Sequence, residues 1–289
     1  MDLPALNNKE TRLKQILQDL GSVIVAYSGG VDSSLLSYFA REVLKEKARI
    51  VIAVSPSLSS EELEAARAQA LSFNFALTEI TTKELENPDY QRNDALRCYF
   101  CKKTLFTELA EMAVANNIAH VAYGAIMDDK NDFRPGHKAA LEYKVVSPLQ
   151  DALLSKEEIR YLARQAGLPS WNRPQAACLS SRFPTFEPVT HSSLTQVERA
   201  EQYLHSLGFK QVRVRHHGNL ARIEIDPSEL PALSSNLELM KDVSASFKEI
   251  GYQYVTLDME GYRRGSSNAS NSSAGVSQQG NQPSKQTNG

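Results

Sequence analysis

The stretch SVIVAYSGGVDSSLLSYFAREVL, residues 22–44, decides the fold of this chain. Its first part, Val23 to Tyr27, is an apolar run typical of a buried strand. The loop SGGVDS follows, and the residues from about Ser33 onward have a helical pattern. A buried strand joined to a helix by a short glycine-containing loop predicts the first unit of an α/β protein.

The same alternation of strand and helix continues along the chain. Apolar runs at residues 49–55, 75–81 and 120–126 each follow a stretch with helical character. Strands that alternate with helices pair in parallel, because each crossover returns the chain to the same end of the sheet. We therefore predict an α/β fold in which helices flank a parallel sheet on both faces.

A second, smaller unit is predicted to begin after residue 185. Before it, residues 127–150 are predicted to be rich in loops, and Ser155 with Glu158 forms a capping box that predicts a helix over 155–168. From residue 186 the pattern changes to a helix at 192–207, two strands that turn at Gly218-Asn219, a helix near 228–250 and an apolar run at 252–259. We predict domains over 1–185 and 186–264, the second of α+β type, and a disordered tail over the polar residues 265–289.

Composition and charge restrict the class of function. The chain has 289 residues, a net charge of -2 and a pI of about 6.3, so it lacks the basic footprint typical of nucleic-acid-binding proteins. The first residues, MDLPALNNKETRLKQ, lack the apolar core of a signal peptide, and no apolar run is long enough to span a bilayer. With three cysteines rather than a disulfide framework, a cytoplasmic protein without a membrane partner is expected.

The glycine-containing loop AYSGGVDSS, residues 26–34, predicts a site for phosphate groups. Gly29 and Gly30 permit a tight turn whose N–H groups converge, and Ser28, Ser33 and Ser34 add hydroxyl groups. The helix that follows directs its positive end at the loop, which favours an anion there. The loop lacks the lysine of a Walker motif and the spacing of the G-x-G-x-x-G fingerprint, so neither of those motifs applies.

What remains, S-G-G-x-D-S after a first strand, resembles the PP-loop of the ATP pyrophosphatase superfamily, and the alternative is a purely structural Gly-Gly turn. The resemblance implies that ATP is cleaved between its α and β phosphates and that AMP is attached to a carboxyl or carbonyl oxygen, from which a nitrogen or sulfur nucleophile displaces it. Asp32 is a candidate for positioning Mg²⁺, although it could equally cap the following helix. Ser55, at the end of the second strand, is assigned to the nucleoside side, since open α/β sheets bind ligands there.

The three cysteines form the second chemical motif, with Cys98 and Cys101 in RCYFCKK and Cys178 far along the chain. A zinc site would need a fourth ligand, such as His137 or His191, and neither has suitable spacing. Unreactive structural thiols, a persulfide relay and a [4Fe–4S] cluster held by three thiolates also explain the set. The cluster is favoured, because an iron without a protein ligand can bind an exogenous group such as hydrosulfide.

Around Cys178 the chain reads NRPQAACLSSRFP, and with GAIMDDKNDFRPG at 124–136 it closely resembles the LarE family of ATP-dependent sulfur transferases. The resemblance covers about residues 10–264 and includes SLGFKQVRVRHHGNLARIEI and GYQYVTLDMEGYRRG. It implies adenylation of a carboxylate of a pyridinium dicarboxylate mononucleotide and its conversion to a thiocarboxylate, a step in the synthesis of the nickel-pincer cofactor of lactate racemase.

The resemblance also implies roles for individual cysteines. Some members have a single cysteine that matches Cys178 and give up its sulfur, whereas this chain resembles the three-cysteine type, in which a cluster carries the sulfur. Sacrifice of Cys178 is therefore in doubt here, and sulfide or another sulfur donor is the expected partner.

Further residues are assigned roles in binding the substrate and a metal. Arg213 and Arg215 alternate along a strand, so both leave the same face, where two guanidinium groups suit a phosphate unless that face is merely solvated. The resemblance implies phosphate binding by Ser181 and these arginines, and a divalent-cation site at carboxylates that match family positions. The carboxylates of the divalent-cation site are Glu201 and Glu224. Lys102, Lys103 and Arg182 could steady phosphate or AMP.

Three other functions compete with sulfur transfer to a small mononucleotide. A PP-loop enzyme with three cysteines could thiolate tRNA, but the net charge of -2 and the lack of a basic run argue against a nucleic-acid substrate. Amide-forming PP-loop chemistry would leave the cysteines idle, and a zinc-binding module would leave the glycine loop unexplained. The family resemblance also implies a homo-oligomer formed through the smaller domain.

Overall fold

The computed structural model describes residues 2–131, 135–174 and 177–263 of the 289-residue chain. The predicted tail at 265–289 lies outside the described residues, as do residues 132–134 and 175–176 of the two motif stretches. In chain order the elements are α1 (Leu3–Leu20), β1 (Val23–Tyr27), α2 (Val31–Leu44), β2 (Ala48–Val54), α3 (Ser60–Ser72), β3 (Thr78–Thr81), α4 (Pro88–Gln91), α5 (Arg97–Ala115), β4 (His120–Tyr123), α6 (Pro135–Glu142), α7 (Pro148–Asp151), α8 (Lys156–Gln165), α9 (His191–Ser206), β5 (Val212–His217), β6 (Leu220–Ile225), α10 (Leu230–Ser234), α11 (Leu237–Ile250) and β7 (Tyr254–Leu257).

The first four strands form one sheet in the order β3-β2-β1-β4, and all of their pairings are parallel. In the central strand β1, Ile24 packs against α5, whereas Val23 and Val25 pack against α1, α2 and α8 on the other face. Both faces are therefore covered by helices, and the predicted α/β class is confirmed.

Three other strands form a smaller sheet in the order β5-β6-β7. β5 and β6 pair antiparallel and turn at Gly218, which has φ +58°, while β7 joins β6 in parallel. Its apolar face has a core of its own, in which Val212, Val214 and Phe247 are fully buried. The predicted α+β pattern of this region is confirmed, while the boundary at residue 186 stays a prediction.

Several predicted elements differ from the structure. Residues 127–150 contain α6 and α7, so the prediction of a loop-rich segment was wrong there. The helix expected at 228–250 is divided into α10 and α11, because the side chain of Asn236 accepts a bond from Leu239 N and begins a new helix. The capping box of Ser155 and Glu158 is present as predicted, at the start of α8.

A fourth apolar cluster joins the segment after Cys178 to α4 and α9. Leu179 and Phe183, which follow Cys178, pack with Tyr90 and with Leu194 and Val197 of α9. The segment that follows Cys178 is thus packed against α4 and α9. No helix in the described part of the chain is long and apolar enough to cross a membrane.

Candidate active site

The glycine loop connects β1 to α2 and is held in place by its own hydroxyl groups. The backbone N of Ser28 donates to Ser33 Oγ at 3.0 Å, and Ser33 Oγ donates to Gly30 O at 3.1 Å. Gly29 has φ +75°, and a Cβ there would lie 2.8 Å from the Cβ of Ala66. Only glycine fits this position without strain and displacement of α3.

Ser34, which the sequence assigns to ATP binding, is not part of the cavity wall described below. It is fully buried, and its hydroxyl donates to Gly30 O at 2.7 Å and accepts from Gln69 Nε2 at 2.5 Å. The structure places it behind the loop, where it supports the backbone rather than facing a ligand. The sequence does not show which of Ser33 and Ser34 faces the ligand. The two residues are adjacent in the first turn of a helix, and only the orientation of that helix decides which side chain points into the cavity.

One cavity of about 1120 Å³ lies at the carboxyl ends of the parallel strands, next to the loop. This is the position where open α/β sheets bind ligands. The residues that were assigned roles in the sequence and line this cavity are Ser28, Gly30, Asp32, Ser33, Cys98, Cys101, Lys102 and Cys178. Gly124, at the end of β4, also lines it, and a Cβ there would approach Ser33 N to 2.9 Å, a close contact that the sequence analysis missed.

Asp32 projects into this cavity and is paired with Lys156 of α8. Lys156 Nζ donates to both carboxylate oxygens of Asp32 at 2.7 Å. Burial raises the pKa of the Asp32 carboxyl group, although the bonds from Lys156 oppose this. Lys156 was missed in the sequence, where the available signal was a lysine in the first turn of a helix, against the macrodipole.

Ser55 is not part of the cavity wall; it is half-buried and belongs to a network of hydroxyl and carboxylate groups. Its Oγ is 2.9 Å from Ser57 Oγ, which donates to Glu84 Oε1 at 3.0 Å, and Thr82 Oγ1 donates to Glu84 Oε2 at 2.7 Å. The backbone of the same segment accepts a bond from Leu179 N, next to Cys178. The network therefore contacts the cysteine segment through Ser57, and the assignment of Ser55 to the nucleoside stays a prediction.

The three cysteines meet at this cavity, although Cys178 is far from the other two in sequence. Cys98 and Cys101 lie in the first turn and a half of α5, and Cys178 precedes a short 3₁₀ turn, Leu179–Arg182. Burial, with smaller contributions from Cys178 and Glu84, raises the pKa of the Cys101 thiol to about 12. Within residues 2–131, 135–174 and 177–263, no three His, Cys, Asp or Glu side chains stand in a geometry that could hold a metal ion.

Two cations lie beside the thiols. Arg97 donates to Asn93 Oδ1 and to Ser180 O, both at 2.6 Å, and although burial alone would lower the pKa of its guanidinium, the Cys178 and Cys98 thiols hold it above its usual value. The Lys102 ammonium lies over the Phe106 and Tyr123 rings, and burial lowers its pKa. Lys103, one position on, is exposed and is not part of the cavity wall.

A cluster of arginines, Arg182, Arg213 and Arg215, lies next to Cys178, at the smaller sheet. Arg182 donates to Ala177 O and Cys178 O, and Arg215 donates to Ser181 O at 3.0 Å. Burial and the like charge of Arg182 lower the pKa of Arg213, which lies over the Tyr262 ring. Three guanidinium groups brought together in this way suit an anion.

Glu201 and Glu224 neutralise these arginines. Arg182 donates to both oxygens of Glu201 at 3.0 and 2.9 Å, and Val214 N donates to Glu201 Oε1 at 2.9 Å. Arg215 Nη2 donates to Glu224 Oε2 at 2.8 Å. The divalent-cation site assigned to these two carboxylates therefore stays a prediction, since the structure gives both another use.

Comparisons with known proteins identify relatives that match most of the chain. The family model described as NAD synthase matches residues 5–116, which contain the glycine loop and two of the cysteines. The chain is 44% identical over 263 residues to an uncharacterised protein of Synechocystis, covering 91% of this chain and 98% of the relative. It is 36% identical over 267 residues to the pyridinium-3,5-bisthiocarboxylic acid mononucleotide synthase of Lactiplantibacillus plantarum, covering 92% of this chain and 96% of the relative. An uncharacterised protein of Methanocaldococcus jannaschii is 30% identical over 241 residues, covering 83% of this chain and 90% of the relative.

Proposed function

Because this chain belongs to the LarE family of PP-loop sulfur transferases, we propose that it adenylates a carboxylate of a pyridinium dicarboxylate mononucleotide and converts it to a thiocarboxylate. One observation carries the proposal: the glycine loop and all three cysteines line the same cavity. A site that activates a carboxylate with ATP needs a sulfur nucleophile within reach of the activated group, and this cavity contains both kinds of group.

The loop would hold the phosphates of ATP. Its backbone N–H groups and the start of α2 supply fixed dipoles, and these favour the negative charge that develops as pyrophosphate leaves. The substrate carboxylate attacks the α-phosphorus, and the bond to the bridging oxygen breaks toward pyrophosphate. Asp32 would take one position on Mg²⁺, which binds few protein carboxylates and prefers phosphate oxygens.

The arginine cluster would hold the phosphate of the mononucleotide. Arg213 and Arg215 lie on one strand, with Ser181 and Arg182 beside them, and Arg182 bonds the carbonyl of Cys178. A phosphate bound there would bring the pyridinium ring toward the cysteines. The segment from Cys178 to Arg182 would then take part both in binding the substrate and in transferring sulfur to it.

The chemistry of the three thiols suits a [4Fe–4S] cluster and all three line one cavity, although their side chains do not stand in metal-binding geometry in this structure. Cys98, Cys101 and Cys178 would hold it, and when bound it supplies an iron with an open coordination position for sulfide. Arg97 and Lys102 would compensate the charge of the three thiolates. With the cluster bound, Cys178 would be a ligand and would keep its sulfur. The thiocarboxylate product would be used to make a nickel-pincer cofactor such as that of lactate racemase.

Anaerobic reconstitution with iron and sulfide tests the cluster. We expect about four iron atoms per chain and broad visible absorbance, as for other thiolate-bound clusters. Each of Cys98→Ala, Cys101→Ala and Cys178→Ala should abolish the absorbance, whereas Ser72→Ala, at an exposed serine of α3, should retain it. Binding of one zinc and no iron by the wild-type chain would contradict the cluster.

A second experiment tests the reaction itself. With ATP, Mg²⁺, sulfide and the dicarboxylate mononucleotide, we expect release of AMP and replacement of one substrate oxygen by sulfur, measured by mass spectrometry. AMP release without a gain in substrate mass would contradict sulfur transfer. Tight binding of tRNA at physiological salt would instead favour tRNA thiolation.

A further inference from the structure

Lys156 occupies an unusual position at the edge of the cavity. It is the first residue of α8, directly after the cap residue Ser155, and its backbone N donates to Asp128 Oδ2 at 2.6 Å. Lysine is disfavoured at a helix N-terminus, because the macrodipole is positive there. Its side chain nevertheless lies on the cavity wall, paired with Asp32 of the glycine loop across 124 positions of sequence.

The ammonium group still has a donor to offer. Two of its three N–H groups go to the two oxygens of Asp32, each at 2.7 Å. Among the described residues, the third N–H has no acceptor. Arg160, the next cation along the same helix face, is used differently, since it donates to the carbonyl groups of Trp171 and Arg173.

Carboxylates are concentrated at the end of the cavity where Lys156 lies. Near the loop the cavity is lined by Asp32, Asp128 and Asp129. ATP would bring further negative charge beside these carboxylates. Repulsion between Asp32 and the phosphates would weaken binding unless a cation lies between them. The Lys156 ammonium already lies on Asp32.

We propose that Lys156 is a phosphate-binding residue of this enzyme, whose ammonium remains on Asp32 and donates its third N–H to an oxygen of the β- or γ-phosphate of ATP. The inference rests on the proposed function and adds a residue to it. The same contact persists with pyrophosphate after the α-phosphorus has been transferred to the substrate carboxylate. A carboxylate has about four acceptor positions, so Asp32 can hold Lys156 and Mg²⁺ at once.

The alternative is a purely structural ion pair between α2 and α8, and the chain offers a matched control for it. Lys9 of α1 donates to both oxygens of Glu158 at 2.8 and 2.9 Å, which ties α1 to the same first turn of α8. The Lys9 side chain is 30% exposed and that of Lys156 is 34% exposed, so the two pairs are alike in burial. Lys9 is not part of the cavity wall.

Calorimetric binding to the full chain tests the proposal, with pyrophosphate, ATP and adenosine as separate probes in EDTA, so that no metal ion bridges the contact. Lys156→Gln should weaken pyrophosphate and ATP about 10-fold or more, as expected for loss of a charged hydrogen bond, and leave adenosine unchanged. Lys9→Gln should leave all three affinities unchanged, and Lys156→Arg should restore most of the pyrophosphate affinity. Lys156→Met serves as a second neutral variant if the glutamine variant does not fold.

Unchanged pyrophosphate binding by a folded neutral variant would overturn the inference, as would an equal loss for adenosine. A structural ion pair predicts a third pattern, in which Lys156→Gln and Lys9→Gln lower the melting temperature similarly and neither changes phosphate binding; that result would also overturn it. If the wild-type chain binds neither ATP nor pyrophosphate, the proposed nucleotide chemistry fails instead, whatever the role of Lys156.

Discussion

Replacing Glu201 by glutamine should destabilise the protein strongly, because it removes one charge of a buried ion pair. The Arg182 and Glu201 side chains are 5% and 8% exposed and make two bonds of 3.0 and 2.9 Å. Glutamine keeps the shape of the side chain and can still accept from Val214 N. What it cannot do is neutralise the guanidinium.

The size of the effect follows from desolvation. A buried pair that loses one partner leaves an uncompensated charge, which costs about 3–5 kcal/mol. That is a large part of the roughly 5–15 kcal/mol by which proteins of this kind are stable. In a chain of 289 residues it corresponds to a fall in melting temperature of about 5–8 °C.

Urea denaturation followed by circular dichroism measures the loss, and the chain contains a control with the same chemistry. Arg67 and Glu79 also form a two-bond pair, at 2.7 Å for each bond, but their side chains are 47% and 38% exposed. Glu79→Gln should therefore cost less than about 1 kcal/mol, because water screens that pair.

A double variant separates the charge from the contact. Arg182→Gln with Glu201→Gln removes both charges and should recover at least half of the stability lost in Glu201→Gln, because no lone buried charge remains. A loss below about 1 kcal/mol for Glu201→Gln alone would refute the reasoning, since the pair could not then be desolvated in solution.

Three further predictions concern the loop, a histidine and a thiol. Gly29→Ala should destabilise the protein by about 2 kcal/mol or more and abolish ATP binding, because φ is +75° and the new Cβ would meet Ala66 at 2.8 Å. Gly30→Ala, at φ -72°, should be tolerated in melting assays, and equal losses of melting temperature in the two variants would contradict this. Burial lowers the pKa of His216, so the stability conferred by its neutral ring is complete above about pH 6.5 and is lost as the pH falls through the lower pKa of the folded protein. His216→Phe should therefore flatten the dependence of the free energy of unfolding on pH between about pH 7 and 5. An unchanged slope would argue against this. In the metal-free protein at pH 8, a pKa of about 12 leaves roughly one Cys101 thiol in ten thousand as thiolate. Iodoacetamide should therefore label Cys101 far more slowly than Cys98, as measured by peptide mass spectrometry. Comparable labelling of the two cysteines would exclude the raised pKa.

Much of the fold and part of the site could be predicted from local patterns. Val23 to Tyr27 and the loop after it specify a buried parallel strand and a phosphate-binding turn, because apolar runs, glycine and helix starts act over a few residues. The capping box at Ser155 is local in the same way. The prediction of a loop-rich segment at 127–150 was wrong, since α6 and α7 are short helices whose stability comes from packing rather than from a strong periodic pattern.

The sequence by itself determined the α/β class, the glycine loop and the set of three cysteines, all of which depend on residue type and short spacing. Tertiary structure alone decided that Lys156 pairs with Asp32, that Glu201 neutralises Arg182, and that Ser34 supports the loop from behind. The physical reason is that a buried or partly buried charge takes its partner from whichever element packs against it. That choice depends on how α8 and α9 pack on the rest of the molecule, which no local pattern in the sequence specifies.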